Sequence, residues 1–184
     1  DQSGNANNAT QGATTSQPKI VDAGALVVGG LDFDGVDDFL ESTANIGISG
    51  ADPRTSLIVN SPSSNTIKTL IHLGISSTGE GWQLTPELAV RVSGGNEVYG
   101  ISNTSEQLFT HIFPDSGSNV TDSNAYLDGV EVTAGSSSGL AINTANATVL
   151  IGATPSGSPF FDGLVAELIL YPSDQSANRA AIET

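Results

Sequence analysis

The chain is cut into short β-like runs, one every 8–14 residues, and between them stand Gly, Asn, Asp, Ser or Pro. Spacing of that kind, with no long helical period between the runs, restricts the chain to an all-β layered fold. The expected strands are Lys19–Val21, Ala25–Val28, Leu31–Asp34, Asp38–Ser42 and Thr55–Asn60. Next come Thr69–Ile75, Gly81–Thr85, Leu88–Val92, Glu97–Ile101 and Gln107–Pro114. Asn124–Leu127, Val130–Thr133, Ala147–Gly152 and Gly163–Tyr171 complete the set. Residues 1–17, rich in Asn, Gln, Ser, Thr and Gly, read as a loop or extended arm.

The strongest local signal is Tyr126-Leu127-Asp128-Gly129-Val130-Glu131. Asp-Gly between two alternating runs makes a tight hairpin, because both turn residues tolerate positive φ. Near the end, Pro172-Ser173-Asp174 stops a strand and offers a cap. Ala177, Ala180 and Ala181 then predict a short helix over residues 176–183.

Charge narrows the functional classes. Twenty acidic residues against five Lys and Arg give a net charge of -15. Nucleic-acid binding needs cations to displace counterions from phosphate, and docking on an anionic membrane needs them too. Neither is expected, and no apolar run approaches the length of a membrane span. Polarity is instead carried by hydroxyls: Ser and Thr fill 40 of the 184 positions, which keeps a many-turned β surface hydrated. There is no Cys, so disulfides, thiolate metal sites and Cys nucleophiles are excluded. With no Met and a polar start, the chain is expected to be one domain, residues 1–184, taken from a longer protein.

Five segments resemble, in order, the laminin-G-like, concanavalin A-like lectin and glucanase domains found in phage and bacterial surface proteins. Asp1-Gln2-Ser3-Gly4-Asn5-Ala6-Asn7-Asn8-Ala9-Thr10 is similar to their D-x-S-G-N-x-N-x-A-T opening. Phe33-Asp34-Gly35-Val36-Asp37-Asp38-Phe39-Leu40 is similar to F-D-G-x-D-D-Y-L. Tyr126-Leu127-Asp128-Gly129-Val130 and Leu150-Ile151-Gly152 match the next hairpin and strand. Phe161-Asp162-Gly163-Leu164-Val165-Ala166-Glu167-Leu168-Ile169-Leu170-Tyr171 resembles the closing strand that precedes a small helix. The resemblance implies a two-sheet antiparallel jelly-roll sandwich with one concave surface and a short C-terminal helix. The strand expected before Asp1 is missing and the closing helix is cut at Thr184, as in a fragment.

The fold hosts lectins, adhesion modules, surface decorations and some enzymes, so chemistry must choose among them. A glycosidase needs two carboxyls flanking the scissile bond. The E-x-D-x-E strand of the related glucanases is absent, and Asp37-Asp38 sits beside a Gly-rich turn. A polysaccharide lyase would use Arg, His and Tyr on one face; Arg91, Tyr99, His72 and His111 are available, with no spacing that links them. For sugar binding the candidates are Trp82, Arg91, Tyr99 and His72, Trp82 alternatively being a core residue. A structural Ca²⁺, implied by the resemblance, would draw on Asp1, carbonyls around Ser3 and Asn5, and Glu167. The alternative there is an Asx-type turn with Glu167 facing solvent.

The resulting expectation is a non-catalytic recognition, adhesion or decoration module of a larger extracellular or virion protein. Its partners would be a cell-surface or environmental polysaccharide, or neighbouring virion or surface subunits. A glycosidase or lyase domain on the same fold is the alternative.

Overall fold

The structure is a computed structural model and describes residues 3–64, 66–100 and 104–184. In chain order its strands are β1 (Ala9–Thr10), β2 (Val21–Asp22), β3 (Ala25–Leu26), β4 (Leu31–Asp34) and β5 (Leu40–Ser42). The middle of the chain adds β6 (Arg54–Pro62), β7 (Ile71–Gly74), β8 (Gly81–Thr85), β9 (Ala89–Val92), β10 (Gly95–Val98) and β11 (Gln107–Phe113). Last come β12 (Asn124–Leu127), β13 (Val130–Val132), β14 (Ser136–Ser138), β15 (Val149–Ile151) and β16 (Asp162–Tyr171). A four-residue helix, α1 (Arg179–Ile182), closes the chain inside the expected 176–183 window.

Two antiparallel sheets form the sandwich, as the spacing of the runs requires. The larger has the order β1-β5-β15-β7-β8-β9-β10-β14, the smaller β13-β12-β11-β6-β16-β4. Strands distant in sequence are therefore neighbours, as a jelly roll demands. The β12–β13 turn is the expected one: Asp128 and Gly129 both have positive φ, and Leu127 pairs with Val130.

Alternation decides which side chains meet between the sheets. Ile71 and Leu73 of β7, Trp82 and Leu84 of β8, and Val90 and Val92 of β9 all face inward and are buried. From the smaller sheet Ile58, Phe109 and Phe113 join the same cluster. Burying such side chains is the main favourable contribution, about 1.5–3 kcal/mol each.

One cation lies inside. Arg54 is fully buried and makes no ion pair among the described residues; its guanidinium donates to the Asp52 and Gly50 carbonyls and to Thr144 Oγ1. It also lies 5.7 Å from the Trp82 ring and 5.5 Å from Phe113, where the negative faces of the rings favour a cation. Burial still pulls its pKa down to about 10.

Most strand bounds shift from expectation by one to three residues; the expected Glu97–Ile101 is observed as Gly95–Val98, Ile101 lying outside the described residues. Leu88 has φ +51 and forms a turn, so β9 starts one residue later. Ala9–Thr10 pairs with β5 inside the expected arm, and Ser136–Ser138 pairs with β10. Both are short, polar edge strands whose ladder is fixed by the neighbour rather than by their own apolar pattern.

The two outer faces differ in exposure. On the smaller sheet the C-terminal segment folds back: Arg179 lies 3.9 Å over the Tyr126 ring and pairs with Glu183. Glu183 in turn accepts from Thr110 Oγ1 at 2.7 Å. Among the described residues, no α-helix besides α1 is present to cover the outer face of the larger sheet.

Candidate functional site

The pairing of β7, β8, β9 and β10 aligns one residue from each into a row across the larger sheet. His72 is opposite Gln83, Gln83 opposite Arg91, and Arg91 opposite Asn96. Opposed residues point to the same side, and here that side is away from the core, because Leu73, Trp82 and Val92 occupy the other. Three strand spacings separate His72 from Asn96, about 14 Å. The row lines an open cleft of about 280 Å³, together with Ser93 and the glycines Gly81, Gly94 and Gly95.

The floor is shaped by missing side chains. A Cβ on Gly81 would come within 2.6 Å of the Ile75 carbonyl and 3.0 Å of the His72 ring. Only glycine lets the imidazole pack against the backbone there.

His72 is 4% exposed, and neither ring nitrogen has a hydrogen-bond partner among the described residues. Burial lowers its pKa to about 4, so the ring is neutral at ordinary pH, with one N–H donor and one acceptor nitrogen. Arg91 forms an ion pair with Glu87 through Nη2, while its buried Nε has no partner among the described residues. Gln83 donates to Thr69 Oγ1 at 2.6 Å, which fixes the amide and leaves its carbonyl oxygen as an acceptor. Among the described residues lining the cleft, none carries a carboxylate. The arrangement can therefore exchange hydrogen bonds with a polar ligand, but it lacks the paired carboxyls of a glycosidase.

The structure thus brings together two of the four expected sugar-binding residues, His72 and Arg91. The other two face the opposite way. Trp82 is fully buried between the sheets, 5.2 Å from the His111 ring, and offers no stacking face to a ligand. Its partners across the strands, Leu73 and Val92, show why: inward parity on β8 belongs to Trp82 and Leu84. Tyr99 follows β10 on the same inward side, hydrogen-bonded through its N–H to the Leu88 carbonyl. Its phenol is 7% exposed and pushed upward in pKa by burial, then by the neighbouring Glu97 carboxylate. Burial in turn raises Glu97 to about 7. Gln83, Ser93 and Asn96 complete the cleft and were not expected from sequence. Alternation in Gly81–Thr85 places Gln83 opposite to Trp82, but only the register shows that it meets Arg91.

The described part of the predicted calcium set does not form a cage. Asp1 lies outside the described residues. Ser3 Oγ accepts from the Asn5 N–H, as in a local polar turn. Glu167 is exposed beyond a register shift in β16, at a groove lined by Ile20, Leu26 and Leu168. Hard cations need several converging oxygens, and Glu167 stands in no group of three carboxylate or imidazole ligands among the described residues. Such a group does occur at Asp34, Asp37 and Asp38. Its oxygens serve the turn: Asp34 Oδ1 accepts from Val36 and Asp37, and Asp38 Oδ2 accepts from the Asp34 N–H. Asp37 accepts from Ser16 Oγ at 2.8 Å.

Comparison with known proteins agrees with this architecture. Residues 45–180 match the family described as the concanavalin A-like lectin/glucanases superfamily. Among solved structures, domain 4 of AbnA, an extracellular GH43 arabinanase of Geobacillus stearothermophilus, superposes with a TM-score of 0.61 at 18% identity. That likeness covers 83% of this chain and 75% of that one, and the relative was solved with arabinotriose. The CBM40 of the Ruminococcus gnavus IT-sialidase, bound to α2,3-sialyllactose, superposes with a TM-score of 0.54 at 13% identity. It is covered over 98% of its length and 84% of this chain. No curated protein sequence matches significantly. The sandwich, the order of its strands and the match over residues 45–180 make this chain a member of the concanavalin A-like lectin/glucanase superfamily.

Proposed function

We propose that this domain is a non-catalytic carbohydrate-recognition module, and that it binds saccharide in the cleft built by His72, Gln83, Arg91 and Asn96. The observation that carries this reading is the cross-strand row itself. Four hydrogen-bonding side chains from four strands line one cleft on the outer face of the larger sheet, Gln83, Arg91 and Asn96 half-buried and His72 almost covered, over a floor of glycines. Side chains held on strands are preorganised, so little ordering entropy opposes ligand capture. Two structural relatives with oligosaccharide bound, arabinotriose in one and sialyllactose in the other, support the same class of partner.

The setting in this reading is a larger extracellular or virion surface protein. A net charge of -15 and a hydroxyl-rich surface keep such an exposed module hydrated. Its partner is a cell-surface or environmental polysaccharide. Pure structural decoration against neighbouring virion or surface subunits is the outcome if no glycan binds.

The test is a glycan array followed by calorimetry on hits. Gln83→Ala and Arg91→Ala, each verified as folded, are expected to weaken binding about tenfold. Binding that survives both substitutions removes the cleft from the account.

A lyase is the second reading, favoured by His72 and Arg91 sharing the cleft. Tyr99, the third residue such chemistry would draw on, is on the core side and buried. Depolymerisation of an acidic polysaccharide to unsaturated products, lost in His72→Ala, would establish it.

A further inference from the structure

We infer, resting on the saccharide reading above, that the ligand of this cleft is a neutral, hydroxyl-rich glycan and not a carboxylated or sulfated one. Arg91 is the one cation lining the cleft among the described residues, and its charge is already matched by Glu87. Glu80 immediately precedes the floor residue Gly81, and Glu41 stands in the same outward row as His72, reached through Leu150. The surroundings are therefore acidic, within a chain of net charge -15. An anionic ligand would have to approach against that field.

The groups left over suit hydroxyls. His72 and the Arg91 Nε are covered and have no partner among the described residues, so the groups open to a ligand are the side chains of the half-buried Gln83 and Asn96. Gln83 and Asn96 have amides that can give and accept at once. Sugar hydroxyls do the same, whereas a carboxylate or sulfate only accepts.

Calorimetry of the intact chain with neutral arabinan- and glucan-derived oligosaccharides, set beside uronate and sulfated oligosaccharides, tests this. Titrations at about 0.01 M and 0.15 M ionic strength separate the charged from the uncharged mode. The expected result is binding of a neutral oligosaccharide whose affinity changes less than about twofold with salt and falls about tenfold in Asn96→Ala. Glu87→Gln, which frees Arg91, should not improve it. Preferential binding of an acidic oligosaccharide, weakened by salt and strengthened by Glu87→Gln, overturns the inference while leaving carbohydrate recognition standing. No binding of either class, or neutral binding indifferent to Gln83→Ala and Asn96→Ala, overturns both. Circular dichroism and melting of each variant establish that it is folded.

Discussion

Trp82 and His111 meet ring to ring across the sandwich, 5.2 Å between centroids and tilted by 52°, one from each sheet. Both are fully buried, with the Arg54 guanidinium beside the Trp ring. The indole is thus a tie between layers. Trp82→Ala should cost about 3–5 kcal/mol and lower the melting temperature by about 10 °C or more. A variant that keeps its stability and loses only glycan binding would return Trp82 to the ligand site.

Glu97 should make stability fall with rising pH. Burial lifts its folded pKa from 4.5 to about 7. Between those values the native state holds the proton more tightly than the unfolded chain, so stability is lost as pH climbs from about 4.5 through 7. Thermal melts at pH 5 and pH 8 should show this contribution, and Glu97→Gln should remove it and be the more stable form at pH 8.

The histidines act in the opposite direction. Burial lowers His72 to about 4, and burial together with the nearby Arg54 cation lowers His111 to about 3. Below pH 6.5 the unfolded chain gains protons that the native state refuses, so stability falls with acidification down to those values. In the Glu97→Gln background, melts from pH 7 to pH 4.5 should decline, and His72→Gln should flatten the decline.

Gly163 permits β16 to lie against β6. Its φ is +135, and a Cβ would reach 2.3 Å from the Ser61 carbonyl. Gly163→Ala should destabilise by at least about 2 kcal/mol, combining backbone strain with a clash that rigid strand atoms cannot relieve. Urea unfolding checks it; an unchanged midpoint would contradict the packing of β16 on β6.

Removal of divalent ions should leave the melting temperature within about 1 °C, because the described members of the proposed calcium set do not converge. A fall of several degrees in chelator, abolished by Glu167→Gln, would mean that Asp1 completes a site there.

Sequence resolved the sandwich because its strands are marked twice, by alternation and by turn residues. Leu31–Asp34, Gly81–Thr85 and Asn124–Leu127 fall at the expected bounds, and Asp128-Gly129 closes the expected hairpin. The site was less legible. His72 and Arg91 were found as polar residues on apolar strands. Trp82 and Tyr99 share their chemistry, but parity sends both inward. Gln83 and Asn96 are not legible in the sequence because cross-strand register, which no local pattern encodes for these strands, is what brings them beside Arg91.

Heteronuclear NMR with a neutral oligosaccharide tests the cleft most directly. On titration, signals of His72, Gln83, Arg91, Ser93 and Asn96 should shift together and saturate with one dissociation constant. Those of the Asp34–Asp38 turn and of Arg179–Glu183 should stay in place. Shifts confined to those two regions, or no shift with any saccharide tried, would contradict the assignment of this face as the binding surface.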